Sequence, residues 1–386
     1  MAKRILFLYG APDSGHAQAA SALIKRIRLD GAPMVALTHS LSESFPRLGP
    51  VFTRIYQSLV THKSGIWDRF YDNAAYHSAV LRIETQFYGK DIFKIADLIR
   101  GFAPDAMFAT QAWALRICAW AKREHYLRAP LYALVTDLRA HRYWALEETR
   151  TYFVAHQETK EDLESYGVLP ASIEVTGIPT GAVAADDPCG AAYVTGLGFD
   201  ASRPIVLVMG GSHGLFPYAE VMKCALGGAL ECQWLFVFGR NARSLNTCRR
   251  MLKTADGPAH IRCFGFLDDI VACMRASKVI VSKAGGLTVS QALCAGNPIL
   301  LWPVIGGQEA RNVDFLIRHN AAYRVGGVKE MVLRIATILS GDADAIRVAA
   351  NMRALARPDA AKDIVRMLCE GLGEFPKEKS YTPALF

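Results

Sequence analysis

The sequence holds no uninterrupted apolar run near the roughly 20 residues that a membrane-spanning helix needs. Its richest stretch, Val279 to Gly307, is broken by Lys283, Gly285, Gly286, Asn297 and Pro298, so any membrane contact is expected to be peripheral. The nine cysteines form no C-x-x-C pair. An odd number scattered through apolar stretches argues against a disulfide framework or a zinc site and fits buried thiols in a reducing compartment. The opening residues, Met1 to Arg4 and the short apolar run Ile5–Tyr9, lack the apolar core and cleavage site of an export signal, and a cytoplasmic chain is expected. Two phosphate-loop signatures are missing as well. Gly10 and Gly15 have Walker A spacing, but His16 and Ala17 stand where that loop needs lysine and a serine or threonine. Pro12 replaces a glycine of the dinucleotide fingerprint, and Thr38-His39 replaces the acidic end of its second strand. P-loop hydrolysis is excluded, and NAD binding at this loop is disfavoured.

What is present is a long, apolar, basic chain. At 386 residues and 51% apolar content, it exceeds the roughly 250–300 residues at which one core stops growing, so two domains are expected. A net charge of +8 favours anionic partners without choosing among them. Short β-rich runs alternate with helix-period segments in both halves, the pattern of α/β domains with parallel sheets covered on both faces. The expected strands are Ile5–Tyr9, Met34–Leu37, Ala106–Thr110, Leu131–Thr136 and Tyr152–Ala155, then Ile205–Met209, Trp234–Phe238, His260–Phe264, Val279–Ser282 and Ile299–Pro303. The periodicity lapses between Thr176 and Pro188. That lapse divides an N-terminal domain (1–181) from a second one (182–345), followed by C-terminal helices and a loosely held tail (346–386).

Residues 44–76 differ from the rest. Val51, Phe52, Ile55, Tyr56, Leu59 and Val60 recur at helical spacing, then Trp67, Phe70 and Tyr71 follow with Arg47, Lys63 and Arg69 interleaved. Such a segment suits the boundary between water and anionic lipid, or a helix packed on its own sheet.

The first loop, Gly10 to His16, ends in a histidine at the start of an Ala-rich helix, Ala17 to Arg28, where open α/β sheets place their chemistry. The helix dipole is expected to keep this imidazole neutral and basic. In the second half, Gly210-Gly211-Ser212-His213-Gly214 follows one strand. Lys283-Ala284-Gly285-Gly286-Leu287-Thr288 follows another and leads into a helix, Val289–Ala295. Small residues at strand ends let backbone N–H groups approach a diphosphate. Gln308, Glu309 and Asn312 offer the donors and acceptors that sugar hydroxyls require.

Residues 283–292 and 307–312 resemble the donor half of monogalactosyldiacylglycerol synthases and processive diacylglycerol glucosyltransferases. The likeness extends through Ser14-Gly15-His16, Phe45-Pro46, Tyr56, Trp67, Tyr71, Val135-Thr136-Asp137, His141, Trp144 and Val175 to Pro179, over about residues 4 to 326. It is shared more distantly with the enzyme that adds N-acetylglucosamine to lipid I. The resemblance implies a GT-B fold: two Rossmann-like domains facing a cleft, an N-terminal acceptor domain, a C-terminal UDP-sugar domain and a last helix returning to the first. It implies an inverting hexosyl transfer from a UDP-sugar to a lipid acceptor such as diacylglycerol, at the inner face of an anionic membrane. No metal and no nucleic acid are implied. Carried over by position, His16 is the base, with Asp13 and Asp137 completing the catalytic set. Gly211, Ser212, Gly285, Gly286, Leu287 and Thr288 hold the diphosphate, Phe266 lies by uracil, Gln291 meets the ribose, and Gln308, Glu309 and Asn312 meet the sugar. Phe52, Tyr56, Trp67, His141 and Trp144 serve acceptor and membrane.

The sequence departs from that pattern in three places. Asp13 puts an acid beside the base, where it would orient His16 or repel an anionic acceptor. Gln291 replaces a glutamate, losing charge assistance to the ribose. Gly181 stands where a basic residue is common, leaving Arg240 or Lys283 to balance the diphosphate. A UDP-sugar 2-epimerase, or a silent nucleotide-sugar or lipid-binding protein, would share the architecture. The epimerase would have no use for the amphipathic segment.

Overall fold

The computed structural model describes residues 2–44, 95–125, 127–181, 189–302 and 307–373. The amphipathic segment, with Phe52, Tyr56 and Trp67, therefore lies outside the described residues except for its first position, and so does the tail from residue 374.

Among the described residues, two six-stranded parallel sheets form the core of the molecule. The strands of the first are β1 (Lys3–Tyr9), β2 (Met34–Ser40), β3 (Ala106–Ala109), β4 (Leu131–Leu134), β5 (Thr149–Val154) and β6 (Ile173–Val175), in the order β2-β1-β3-β4-β5-β6. The second sheet has β7 (Ile205–Met209), β8 (Gln233–Val237), β9 (Ile261–Phe264), β10 (Val279–Ser282), β11 (Ile299–Leu301) and β12 (Tyr323–Arg324), in the order β12-β11-β10-β7-β8-β9. Strands β3, β4, β7, β8 and β10 are buried along their whole length. Burial on both faces explains why they read as continuous apolar runs rather than alternating ones. Two Rossmann-like units in the GT-B manner result. Two strands escaped the sequence reading, β6 and β12, of 3 and 2 residues, too short to carry a periodicity. Several expected strand ends shift, with β2 running on to Ser40 and β11 stopping at Leu301.

The order of strands reverses direction beside β1 in the first sheet and beside β7 in the second. Crevices open at such switch points, outside the carboxyl ends of the strands. The loop after β1 and the loops after β7 and β10 occupy these places. Helix Gly15–Leu29 follows β1 with Ser14 as its cap, whose hydroxyl accepts the Ala17 N–H at 3.2 Å. On its buried face, Ala19, Ala20, Leu23, Ile24 and Ile27 share one core cluster with Ile364, Leu368 and Leu372 of the last described helix, Ala360–Gly373. The chain thus returns to its first half. At the crossing, Gly177 has φ of 92° and a Cβ there would lie 2.3 Å from the Arg357 Cβ, so only glycine fits.

Among the described residues no helix is long and apolar enough to cross a membrane, and the eight described cysteines are free thiols.

Candidate functional site

His16 sits in the first turn of helix Gly15–Leu29, its backbone carbonyl held by the Thr110 hydroxyl at 2.9 Å. Its Nδ1 lies 2.7 Å from the hydroxyl of Thr136, just beyond β4. That hydroxyl reaches the Thr110 carbonyl at 3.5 Å. A carbonyl can only accept, so a hydroxyl that gives its proton there accepts from Nδ1–H, whereas in the other tautomer it donates to Nδ1. The first arrangement leaves the lone pair on Nε2, the form a general base requires. Burial pushes the His16 pKa down to about 4, against a smaller upward pull from a backbone hydrogen bond at Thr110. Desolvation is the larger of these two influences and keeps the imidazole neutral.

Asp13 does not orient this imidazole. Its carboxylate pairs with Arg240 of the second half at 2.6 Å, while Thr136 holds the imidazole. Asp137 is buried, and burial raises its carboxyl to about 6 against a hydrogen bond from Asn312. Asn312 is fully buried. Its amide donates to Asp137 Oδ1 at 3.1 Å and to the Ala284 carbonyl at 2.9 Å, while its oxygen accepts the Leu138 N–H at 2.9 Å. With these commitments Asn312 ties the two halves together and does not face a sugar, which corrects its expected role.

The glycine loops are shaped by contact. A Cβ on Gly214 (φ 56°) would lie 2.0 Å from the Phe238 carbonyl, and one on Gly239 (φ 56°) 2.4 Å from the Ser212 carbonyl. The two turns therefore interlock, and side chains are barred from both. The helix after β10 starts at Gly286, with Gly285 as its cap, rather than at Val289. Gly286 meets the first half so closely that a Cβ would lie 1.9 Å from the Thr136 carbonyl oxygen, and Gly15 faces the Leu287 Cβ at 3.6 Å. The free N–H groups of that helix N-terminus thus abut the segment that holds His16.

Between the halves lies a cleft of about 450 Å³. Gly211, Ser212, Phe266, Leu287, Thr288 and Gln291 line it. Phe266 is 46% exposed, with the Arg240 guanidinium 5.5 Å from its ring centre. The buried Gln291 amide donates to the Thr180 carbonyl at 3.3 Å. Arg240, Lys283, Gly285, Gly286, Gln308 and Glu309 stand outside that lining. Lys283 is ion-paired to Glu309, so neither is held in reserve for a ligand in this arrangement. His141 and Trp144, expected at acceptor or membrane, are instead buried at 4% and 1% exposure, and their rings pack 6.0 Å apart. Neither can touch a membrane surface from there.

Several lining residues were missed. Gln18, Ser21 and Lys25 of helix Gly15–Leu29 form the cleft's other wall, opposite Asp268, Asp269 and Arg275. Positions 18, 21 and 25 recur at helical spacing on the face away from the core, a signal present in the sequence. Thr110 and Thr136 carried no such signal. Among the described residues no group of three His, Cys, Asp or Glu side chains is placed to hold a metal ion.

Residues 16–180 match the family model of monogalactosyldiacylglycerol (MGDG) synthase. Residues 205–338 match that of the glycosyltransferase family 28 C-terminal domain. The chain belongs to this family of glycosyltransferases. Among its curated relatives, a processive diacylglycerol beta-glucosyltransferase of Bacillus pumilus is 24% identical over 390 residues, covering 99% of each chain. The enzyme of the same name from Bacillus subtilis is 24% identical over 92% of this chain and 91% of the relative. Among solved structures, Acinetobacter baumannii MurG superposes with a TM-score of 0.59 at 16% identity, over 95% of this chain and 99% of that one. The S. aureus MnaA–UDP co-structure gives 0.60 at 15% identity, over 99% and 100%. At such identities these structures bear on the fold alone, and that fold is GT-B.

Proposed function

We propose that the enzyme transfers a hexose from a UDP-sugar to a lipid alcohol, diacylglycerol in the first instance, with inversion at the anomeric carbon. The observation that carries the mechanism is the junction at Gly286, where the N-terminus of the donor-side helix meets the backbone beside Thr136, the residue that holds His16. His16 Nε2 takes the proton of the lipid hydroxyl, the oxygen attacks the anomeric carbon, and UDP leaves. Loop amides at Gly211 and Ser212 and the helix N-terminus at Gly286–Thr288 stabilise the charge that gathers on the leaving diphosphate. These groups are fixed before reaction, so they need no reorganisation. Phe266 flanks the base, and Gln291 serves the ribose. No metal is needed in this scheme, and turnover should survive a chelator.

The acceptor is delivered from a membrane surface. A basic chain with the aromatic and cationic segment around Phe52, Tyr56 and Trp67 suits peripheral attachment to an anionic inner leaflet. The test is incubation of the purified protein with labelled UDP-glucose or UDP-galactose and vesicles of diacylglycerol in anionic lipid. Label in the lipid phase is expected from one of the donors. Label confined to the water phase, or UDP-N-acetylglucosamine epimerised without any acceptor, would overturn the proposal.

A further inference from the structure

An ion pair runs between the two halves near the cleft residue Phe266, from Asp13 Oδ1 to Arg240 Nη2 at 2.6 Å. Each partner is carried by backbone with little freedom. The Ser14 hydroxyl donates to the Ala11 carbonyl at 2.7 Å and accepts the Ala17 N–H at 3.2 Å, fixing the turn that presents Asp13. On the other side Arg240 follows Gly239, whose φ of 56° and contact with Ser212 admit no side chain. The Arg240 N–H donates to the Ser212 carbonyl at 2.9 Å. From that anchor the guanidinium passes over Phe266, part of the cleft wall. Asp13 therefore grips an arginine that is tied at its base to the Ser212 loop and rests on the pocket's aromatic wall.

We propose that Asp13 and Arg240 form an ionic latch that holds the cleft shut over the donor, a role that rests on the donor site proposed above. The pair forms only while the two sheets face each other at this separation, so it favours the closed arrangement over any open one. Closure excludes water and completes the site, which raises donor retention. The charges also have a logic. A bare carboxylate beside the cleft wall would repel an arriving diphosphate, and Arg240 cancels it. Loss of Arg240 is therefore worse than loss of Asp13. Both are positioning residues, since neither is required to touch the reacting atoms.

The test is a double-mutant cycle read by UDP titration calorimetry and by donor KM against kcat. An exposed pair of this kind leads to an expected loss of about two- to fivefold in UDP affinity for Asp13→Ala, with Arg240→Ala at the upper end. The loss should appear in donor KM more than in kcat. The double variant should be no worse than Arg240→Ala, and the exchange Asp13→Arg with Arg240→Asp should restore affinity. Raising salt to about 1 M, where screening acts within about 3 Å, should erase the wild-type advantage. Hydrogen exchange of the ligand-free proteins supplies a readout that needs no donor: residues 11–18 and 239–241 should exchange faster in the single variants and return to normal in the exchanged pair. Additive losses, unchanged affinity and exchange, or no rescue in a folded exchanged pair would each overturn the latch. If the wild type takes up no UDP, the donor reading falls, and the exchange rates alone decide the latch.

Discussion

The base role proposed for His16 depends on how Thr136 holds its Nδ1 and on the partial burial that keeps the ring neutral. Free imidazole titrates near 6.5, and burial brings His16 to about 4, so it stays neutral and able to accept a proton from about pH 5 upward. As pH falls through about 4 the ring charges and the base is lost. We therefore expect the His16 signals in an NMR titration to move near pH 4, and the limb of kcat/KM assigned to this residue to fall there. A His16 midpoint near 6.5 would contradict the burial. Asp137, whose carboxyl burial raises to about 6, is expected to give a separate limb near 6 that Asp137→Asn abolishes. Thr136→Val removes the hydroxyl that holds Nδ1, and its kcat should drop about tenfold or more, with Thr136→Ser restoring most of it. An equal loss in the serine variant would deny the hydroxyl its part.

At the scale of elements, the strands that carry the site were legible because strands buried on both faces must be apolar throughout, as in Ile205–Met209 and Val279–Ser282. The glycine loops were legible because close backbone approach leaves no other residue type. What stayed hidden depends on contacts distant in sequence. His16 and Thr136 are 120 positions apart, and Leu138 and Asn312 are 174 apart. No spacing rule connects such pairs. Asn312 shows the cost of that blindness: its amide looks suited to a sugar hydroxyl on the helix, yet three buried partners consume it. His141 and Trp144 misled for the converse reason, since aromatic and polar residues after a strand can equally fill a core. Asn312→Ala leaves the Leu138 N–H and Asp137 short of partners, and buried groups left so cost about 1–3 kcal/mol each. A clear fall in the thermal midpoint is expected. Unchanged unfolding would mean that this tie contributes nothing.

For the molecule as a whole, the cleft lies between the two halves, lined by helix Gly15–Leu29 on one side and by the loop after β7 and the helix after β10 on the other. The halves are tied by Asn312, which donates to Asp137, by the Asp13–Arg240 pair, and by Glu158, which pairs with Arg318 at 2.7 Å. Gly286→Ala tests the contact between them. Its Cβ would meet the Thr136 carbonyl at 1.9 Å, the halves must separate, and a misplacement on the scale of 1 Å costs about 10²-fold in rate. Activity near normal in that variant would mean that the chemistry does not need this contact. The most direct test of the account is the His16→Ala variant, measured for UDP affinity and for transfer of labelled hexose to lipid in the same preparation. The account predicts UDP binding like that of the wild type and transfer reduced by about 10²–10⁴; transfer close to the wild-type rate in a folded, UDP-binding variant would contradict it.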